Sequence, residues 1–378
     1  MVGDWQKNPC SLPCDCYDFE PKMGFNTILL IYKMDLLQIR VLRTIAETED
    51  SSSLVLEELS GKTIDYQAGQ FITLVGQKGD SSFRRSYSFA STPGVDSQPM
   101  ITVKRVPNGQ MSRLLTDRVQ PLDQFLALPP AGRFTIQTIK GMARQFCFIA
   151  AGIGIVPIFS LIKKILYEEP LSQVLLIYQN YDEDHTVFFH SLSTLLNRFT
   201  GQLRWINLLS HPKTKPARGQ RLNNSLLEVV LSQQGHLAKG GSLYFVCGPQ
   251  SFMRMVNFTL RYMGIDAGRI RMETFVVSTP QAAPWAQDRS PKKIQLHLRG
   301  KTYLFEAAYP VNILQAALDN NIDMPYSCRG GICSSCMARI LKGNVKMSIN
   351  EVLTDSDLAE GLVLTCVGYP QTDIIIEV

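Results

Sequence analysis

The strongest constraint in this chain lies near its C-terminus. There Pro325-Tyr326-Ser327-Cys328-Arg329-Gly330-Gly331-Ile332-Cys333-Ser334-Ser335-Cys336 is followed, at a distance, by Leu364-Thr365-Cys366. The cysteines fall as C-x4-C-x2-C plus one remote residue, the spacing of plant-type [2Fe–2S] ligation. Each iron of such a cluster needs two terminal thiolates to complete a tetrahedron of sulfurs. One tight loop can wrap three thiolates around the cluster, while the fourth must arrive from another part of the fold. Gly330 and Gly331 suit a loop that enters backbone conformations closed to residues with a Cβ. The N–H groups of such a loop can stabilise the negatively charged sulfurs. A zinc site would instead show two paired C-x2-C knuckles. Cys328, Cys333, Cys336 and Cys366 are therefore the expected metal ligands.

The rest of the chain must then explain where single electrons come from. With 378 residues, 45% of them hydrophobic and 19% charged, there is material for two or three domains. A net charge of +5 is too mild to argue for nucleic acid, and no aromatic-plus-basic motif of that kind is present. No run approaches the ~18 apolar residues of a membrane span. The stretch 25–32 is too short, and the residues before it do not resemble the basic start of a signal peptide. Of the nine cysteines, Cys147 and Cys247 sit in apolar strand-like runs. Cys10, Cys14 and Cys16 fall in a leader, 1–33, that is expected to be disordered, with metal binding by the three thiols as the alternative. Regular patterning begins only at Met34, so a translation start there is also open. Unpaired thiols without an export signal imply a cytoplasmic protein.

Residues 34–140 read as short strands between Gly, Pro, Asp and Ser clusters: 37–41, 53–56, 70–75, 86–89 and 100–104. That pattern predicts an antiparallel β-barrel. One helix is expected over 112–119, with Ser112 as its cap and Pro121 beyond its end. From 141 to 275 apolar strands at 146–150, 174–178, 205–209 and 242–246 alternate with helices at 158–167, 189–199 and 225–232. This is the signature of a doubly wound α/β domain with a parallel sheet, whose ligands sit at the carboxyl ends of the strands. Residues 276–291 read as a linker. The last domain, 292–378, is expected to be α+β and β-grasp-like, with strands at 293–298, 301–305 and 373–378 and a helix at 313–319.

Four upstream segments carry further chemistry. In Arg84-Arg85-Ser86-Tyr87-Ser88 an extended backbone puts Arg85 and Tyr87 on one face, Ser86 and Ser88 on the other. An aromatic ring can stack on a planar cofactor, a guanidinium can fork onto a phosphate, and a hydroxyl can reach a ring nitrogen. A barrel strand with a solvated basic end is the plain alternative. Val103-Lys104-Arg105-Val106-Pro107-Asn108-Gly109-Gln110-Met111-Ser112 brings two cations to a helix start, which suits a pyrophosphate. Gly152-Ile153-Gly154-Ile155-Val156-Pro157 lets a phosphate or nicotinamide approach the backbone between a strand and a helix. It is not the full G-x-G-x-x-G fingerprint, because its last position is proline. Cys247-Gly248-Pro249 ends another strand on the same rim.

Taken together, these segments resemble the ferredoxin–NADP⁺ reductase-like superfamily. Its flavin barrel carries R-x-Y-S, here Arg85-Ser86-Tyr87-Ser88, and its nucleotide domain a G-x-G-x-x-P-like turn and C-G-P, here Gly152–Pro157 and Cys247–Pro249. The order flavin domain, nucleotide domain, C-terminal ferredoxin is similar to the reductase components of phenylacetyl-CoA epoxidase and related multicomponent oxygenases. The resemblance implies that Arg85, Ser86, Tyr87 and Ser88 hold the flavin and that 104–112 binds the pyrophosphate of FAD through Lys104, Gln110, Met111 and Ser112. It implies nucleotide contacts from Gly152, Gly154, Pro157, Cys247, Gly248 and Pro249, and an aromatic Phe275, in Met272-Glu273-Thr274-Phe275, near the flavin. Two departures matter. Ile153 and Val156 stand where relatives usually have Ser and Thr, and Asn180-Tyr181-Asp182-Glu183-Asp184 offers three carboxylates where NADPH-preferring relatives tend to place Arg. Those carboxylates would repel a 2′-phosphate, so of NADH and NADPH the expected donor is NADH.

The function so implied is electron transfer from NAD(P)H through FAD to a [2Fe–2S] cluster, then to an oxygenase, hydroxylase or desaturase component. The cofactors carry this chemistry, and no catalytic acid or base is expected. Two other readings stay open: a redox-sensing or electron-carrier protein with a weakened nucleotide site, and a binding module that keeps the folds without the prosthetic groups.

Overall fold

The computed structural model describes residues 36–78, 81–107, 109–214, 219–233, 241–275, 290–350 and 352–378. The expected leader and nearly all of the expected linker lie outside these residues. Among the described residues, no helix is long and apolar enough to cross a membrane.

Alternating burial builds the first sheet. Its strands are β1 (Leu37–Thr48), β2 (Ser51–Glu58), β3 (Phe71–Lys78), β4 (Ser81–Ser88), β5 (Met100–Lys104) and β6 (Gln124–Ala131), in the order β4-β3-β6-β1-β2-β5. All of its pairings are antiparallel. The two edges meet through an isolated bridge between Phe89 and Ile101, which closes the sheet into the expected barrel. Inward residues of successive strands, among them Ile39, Leu54, Ile72, Leu74 and Ile101, fill it.

The helix expected at 112–119 begins earlier. It runs as α1 (Gln110–Arg113), capped by Gly109, and continues as a π turn over Leu114–Arg118. Ser112 is therefore not the cap. Its hydroxyl lies inside the first turn and accepts the Val106 N–H at 3.2 Å, tying the preceding loop to the helix.

The strands of the second sheet are β7 (Gln145–Ala151), β8 (Gln173–Asn180), β9 (Leu203–Leu209), β10 (Ser242–Cys247) and β11 (Ile270–Glu273). They are parallel throughout, in the order β11-β10-β7-β8-β9. Buried on both faces, β7 points Phe146, Phe148 and Ala150 one way and Cys147, Ile149 and Ala151 the other. The first face packs against α2 (Ile155–Glu168) and α3 (Phe189–Arg198), the second against α4 (Asn224–Gln233) and α5 (Gln250–Tyr262). The chain reverses direction across the sheet between β7 and β10, so a ligand crevice is expected above that pair.

Barrel and α/β domain share a core, since Ala68, Ala90, Phe134 and Ile136 belong to the same apolar cluster as α2. Thr92 Oγ1 donates to the Ser160 carbonyl at 2.8 Å, and Lys163 pairs with Asp96 across the same seam.

The C-terminal domain has a separate core. Its main strands are β12 (Lys292–Leu298), β13 (Lys301–Ala307), β14 (Met337–Lys342), β16 (Leu362–Leu364) and β18 (Ile374–Glu377), while β15 (Val345–Met347) pairs with β17 (Gly368–Pro370). The main strands form a mixed sheet in the order β13-β12-β18-β14-β16. The helix α6 (Ile313–Asp319) packs across the sheet, and a short α7 (Asp355–Ala359) is held by a capping box between Thr354 and Asp357. A helix packed on a mixed sheet is the expected β-grasp-like arrangement.

Candidate functional site

The four cysteines singled out by spacing converge. Cys328 lies within hydrogen-bonding reach of Cys333 and Cys366, and Cys336 within reach of Cys366. Thr365, beside the remote ligand, donates to the Cys336 carbonyl through its N–H at 3.1 Å and its hydroxyl at 2.9 Å. This pins the fourth cysteine to the third. None of the six described cysteines is in a disulfide. The thiol of Cys328 is held far below its ordinary value by its contacts with Cys333 and Cys366 and by the N–H groups of Gly330 and Ile332.

Backbone donors already point at the sulfurs, from Gly330 N–H to Cys328 at 3.3 Å and from Cys328 N–H to Cys333 at 3.5 Å. Among the described residues, no three His, Cys, Asp or Glu side chains are grouped to hold a single metal ion. Four converging thiols with N–H donors directed at the sulfurs fit the four-thiolate cluster that the C-x4-C-x2-C spacing predicts. The glycine expectation needs correcting in detail. Gly331 takes φ +74°, and a Cβ there would come within 2.8 Å of Ile349. The other left-handed positions are Arg329 (φ 56°) and Ser334 (φ 55°), and Gly330 contributes its N–H.

One face of the strand β4 touches both this loop and the α/β domain. Because alternate residues share a face, Arg84, Ser86 and Ser88 line one side of it. Arg84 reaches Tyr326, Ser86 bonds Ser327, and Ser88 Oγ lies 3.5 Å from Glu273 Oε2 at the end of β11. Arg85 and Tyr87 take the opposite side. Arg85 is exposed and donates to the Arg84 carbonyl at 2.8 Å, while Tyr87 is half-buried against the barrel core, where burial raises its phenol.

The expected nucleotide segments meet on one rim. Gly152 takes φ +53°, with open space where a Cβ would stand. Gly154 lies so close to the neighbouring strand end that a Cβ would come within 2.3 Å of the Cys247 carbonyl oxygen. Gly248 packs on Ala151, and Pro249 caps α5. Pro157 sits in the first turn of α2, where its missing N–H costs nothing. Val156 is buried in the core cluster, which explains an apolar residue at that position.

Cys247 pairs in register with Glu273, whose side chain points into the same crevice as Ser88. Burial pushes the Glu273 carboxyl up to about 8, only partly offset by Ser88, and burial together with Glu273 keeps Cys247 a neutral thiol. Phe275 is exposed two residues further on.

Other expected contacts are not free as the sequence suggested. Lys104 pairs with Asp50 at 3.0 Å, Arg105 with Asp117 at 3.0 Å, and the Met111 side chain is buried in the barrel core, leaving Gln110 exposed. The carboxylates after β8 acquire a cation from a distant loop. Lys213 contacts Asp182 at 3.4 Å and Asp184 at 2.5 Å, and Asp182 also bonds His185. Backbone N–H groups of Lys213 and Thr214 hold the Glu183 carboxyl down to about 2. Sequence reasoning passed over Arg84, Asp323, Lys213 and the role of Glu273. Only Glu273 had a local signal, in the Met272–Phe275 motif.

Comparison with known proteins agrees with this geometry. An oxidoreductase FAD-binding domain matches residues 39–136, an oxidoreductase NAD-binding domain 148–257, and a 2Fe-2S iron-sulfur cluster binding domain 296–371. The ferredoxin reductase component of 3-ketosteroid-9-alpha-monooxygenase from Mycolicibacterium smegmatis is 32% identical over 354 residues, 90% of this chain and 96% of the relative. One of the subunits of 1,2-phenylacetyl-CoA epoxidase from Escherichia coli is 28% identical over 335 residues, covering 82% of this chain and 88% of the relative. The solved structure of phthalate dioxygenase reductase has the same fold, with a TM-score of 0.56 over 91% of this chain and 98% of that one, at 22% identity.

Proposed function

The chain belongs to the ferredoxin-reductase components of multicomponent oxygenases, and from that premise we propose that it takes hydride from NADH at the β7–β10 rim and releases electrons singly through Cys328, Cys333, Cys336 and Cys366 to an oxygenase. The observation that carries this reading is β4, which touches the nucleotide rim through Ser88 and the cluster loop through Ser86. Bound FAD accepts two electrons together and gives them up one at a time, and the [2Fe–2S] cluster is the one-electron outlet.

The protein's own residues do the positioning. Arg85, Tyr87 and Ser88 would hold the flavin, with the exposed Arg85 turning from the Arg84 carbonyl to meet a phosphate and Tyr87 stacking. For the 104–112 segment to take the pyrophosphate, Lys104 and Arg105 would exchange Asp50 and Asp117 for phosphate oxygens. Gly152 and Gly154 would let the dinucleotide lie on the backbone, and Cys247 and Glu273 would line the crevice that takes the nicotinamide. Neutral Cys247 and buried Glu273 line the crevice without placing a fixed anion against the reduced, uncharged ring. Among the described residues the six cysteines are unbridged, which supports a cytoplasmic setting.

Preference for NADH rests on the side chains of Asp182, Glu183 and Asp184, three carboxylates opposed by Lys213, itself already engaged. A 2′-phosphate brought there meets net negative charge. Steady-state kinetics with each nucleotide should give a kcat/KM for NADH about tenfold or more above that for NADPH. Equal values would remove the assignment of these carboxylates to coenzyme choice.

A further inference from the structure

Two arginines of the barrel grip the two ends of the loop that carries Cys328, Cys333 and Cys336. At the first end Arg84, its side chain 2% exposed, donates to the Tyr326 carbonyl at 3.1 Å, sits 3.9 Å from the centre of the Tyr326 ring and pairs with Asp323 at 3.5 Å. Tyr326 and Ser327 lead directly into Cys328. At the second end Arg133, just beyond β6, contacts Met337 Sδ at 3.4 Å and pairs with the buried Asp357. Met337 immediately follows Cys336. The strand β4, which carries Arg84, and β6, which leads into Arg133, flank β3 in the sheet, so both grips come from one side of the barrel.

We propose that Arg84 and Arg133 form a clamp that fixes the cluster loop against the flavin strand, and that Arg84 is the positioning residue for electron transfer between the two redox centres. This rests on the function proposed above and adds to it residues outside the R-x-Y-S segment, the nucleotide rim and the thiolate set. A guanidinium suits the task because its planar fork can bond a carbonyl and a carboxylate while its face lies on an aromatic ring. Lysine offers only a point charge. The C-terminal domain has its own apolar core, and these polar contacts cross from it to the barrel, so directional bonds take part in its seating. Small errors of placement are costly to a transfer step. The electron balance is that of the whole chain: one NADH yields NAD⁺, a proton and two electrons, which leave to two molecules of ferricytochrome c.

The test uses the full-length protein with flavin and cluster bound. Arg84→Ala should leave the rate of flavin bleaching by NADH within about twofold of the parent and slow the appearance of the reduced-cluster EPR signal about tenfold or more in a single turnover. Amide hydrogen exchange over 323–328 should lose protection in the same variant, without any nucleotide present. Asp323→Ala, which removes one of the contacts of Arg84, should lose part of the same protection, and the double variant should be no worse than Arg84→Ala alone, because the shared contact is already gone. Arg84→Lys should recover exchange protection only in part. Unchanged exchange and unchanged cluster reduction in both single variants would overturn the clamp. Failure of the parent to bleach with NADH would instead overturn the proposed donor, and the exchange experiment would still decide the docking role.

Discussion

Cys328→Ser is expected to leave NADH-driven ferricyanide reduction within about twofold of the parent while cytochrome c reduction falls by about a hundredfold or more. Ferricyanide, a small and strong oxidant, can take electrons from a flavin directly, whereas the proposed one-electron path to a protein acceptor runs through the cluster that the four thiolates would hold. Cys328 is the informative position because it bonds both Cys333 and Cys366 and stands next to the Ser86–Ser327 contact with the flavin strand. A serine hydroxyl is a far poorer ligand than a thiolate, and the other three cysteines remain buried in place. Iron and acid-labile sulfide analysis on the same preparation checks that the cluster, rather than the fold, has been lost. Equal loss of both activities would mean that the flavin and cluster do not divide the work as described.

Glu273→Gln is expected to have the second-largest effect, and pH reveals it. In the folded chain burial raises the carboxyl from 4.5 to about 8, so the folded state keeps a proton that the unfolded state gives up. The contribution to stability is fully present below the unfolded value and is lost as pH rises from there towards about 8, a change on the order of 3–5 kcal/mol. Glutamine cannot ionise, so the variant should show a flatter stability profile across that window in denaturant titrations. Function should follow the same group. Hydride departure leaves the nicotinamide cationic, and an ionised Glu273 facing it would stabilise that charge. Flavin bleaching by NADH should therefore quicken as pH rises through about 8 in the parent and stay slow and level in Glu273→Gln, roughly tenfold lower at the alkaline end. An unchanged pH profile in the variant would separate Glu273 from hydride transfer.

What could be read from the sequence was whatever is written locally. Cys328, Cys333 and Cys336 lie on one loop, so their spacing is legible locally, and the remote Cys366 was read as the fourth member of the same pattern. Buried strands such as β7 and β8 announce themselves as continuous apolar runs flanked by turns. The helix α5 did not, because Gln250–Tyr262 mixes aromatic, β-branched and basic residues with little net hydrophobicity and is helical chiefly through the face it buries on β10. The start of α1 was misplaced for a related reason: a serine before an apolar run looks like a cap, but Ser112 bonds backward to Val106. Contacts between distant segments left no local trace. Arg84 meets Tyr326 across 242 positions, and Lys213 meets Asp184 across 29, so neither pairing could be read from the neighbours of either residue.

The most direct test of the whole account is an anaerobic reductive titration of the purified full-length protein with iron, sulfide and flavin measured on the same sample. The account requires about two irons and one flavin per chain and an uptake of about three electrons, two by the flavin and one by the cluster. NADH should bleach the flavin and then bring up the EPR signal of a reduced [2Fe–2S] centre. Protein that holds zinc in place of iron, or that takes up only the flavin's two electrons with no cluster signal, would contradict it.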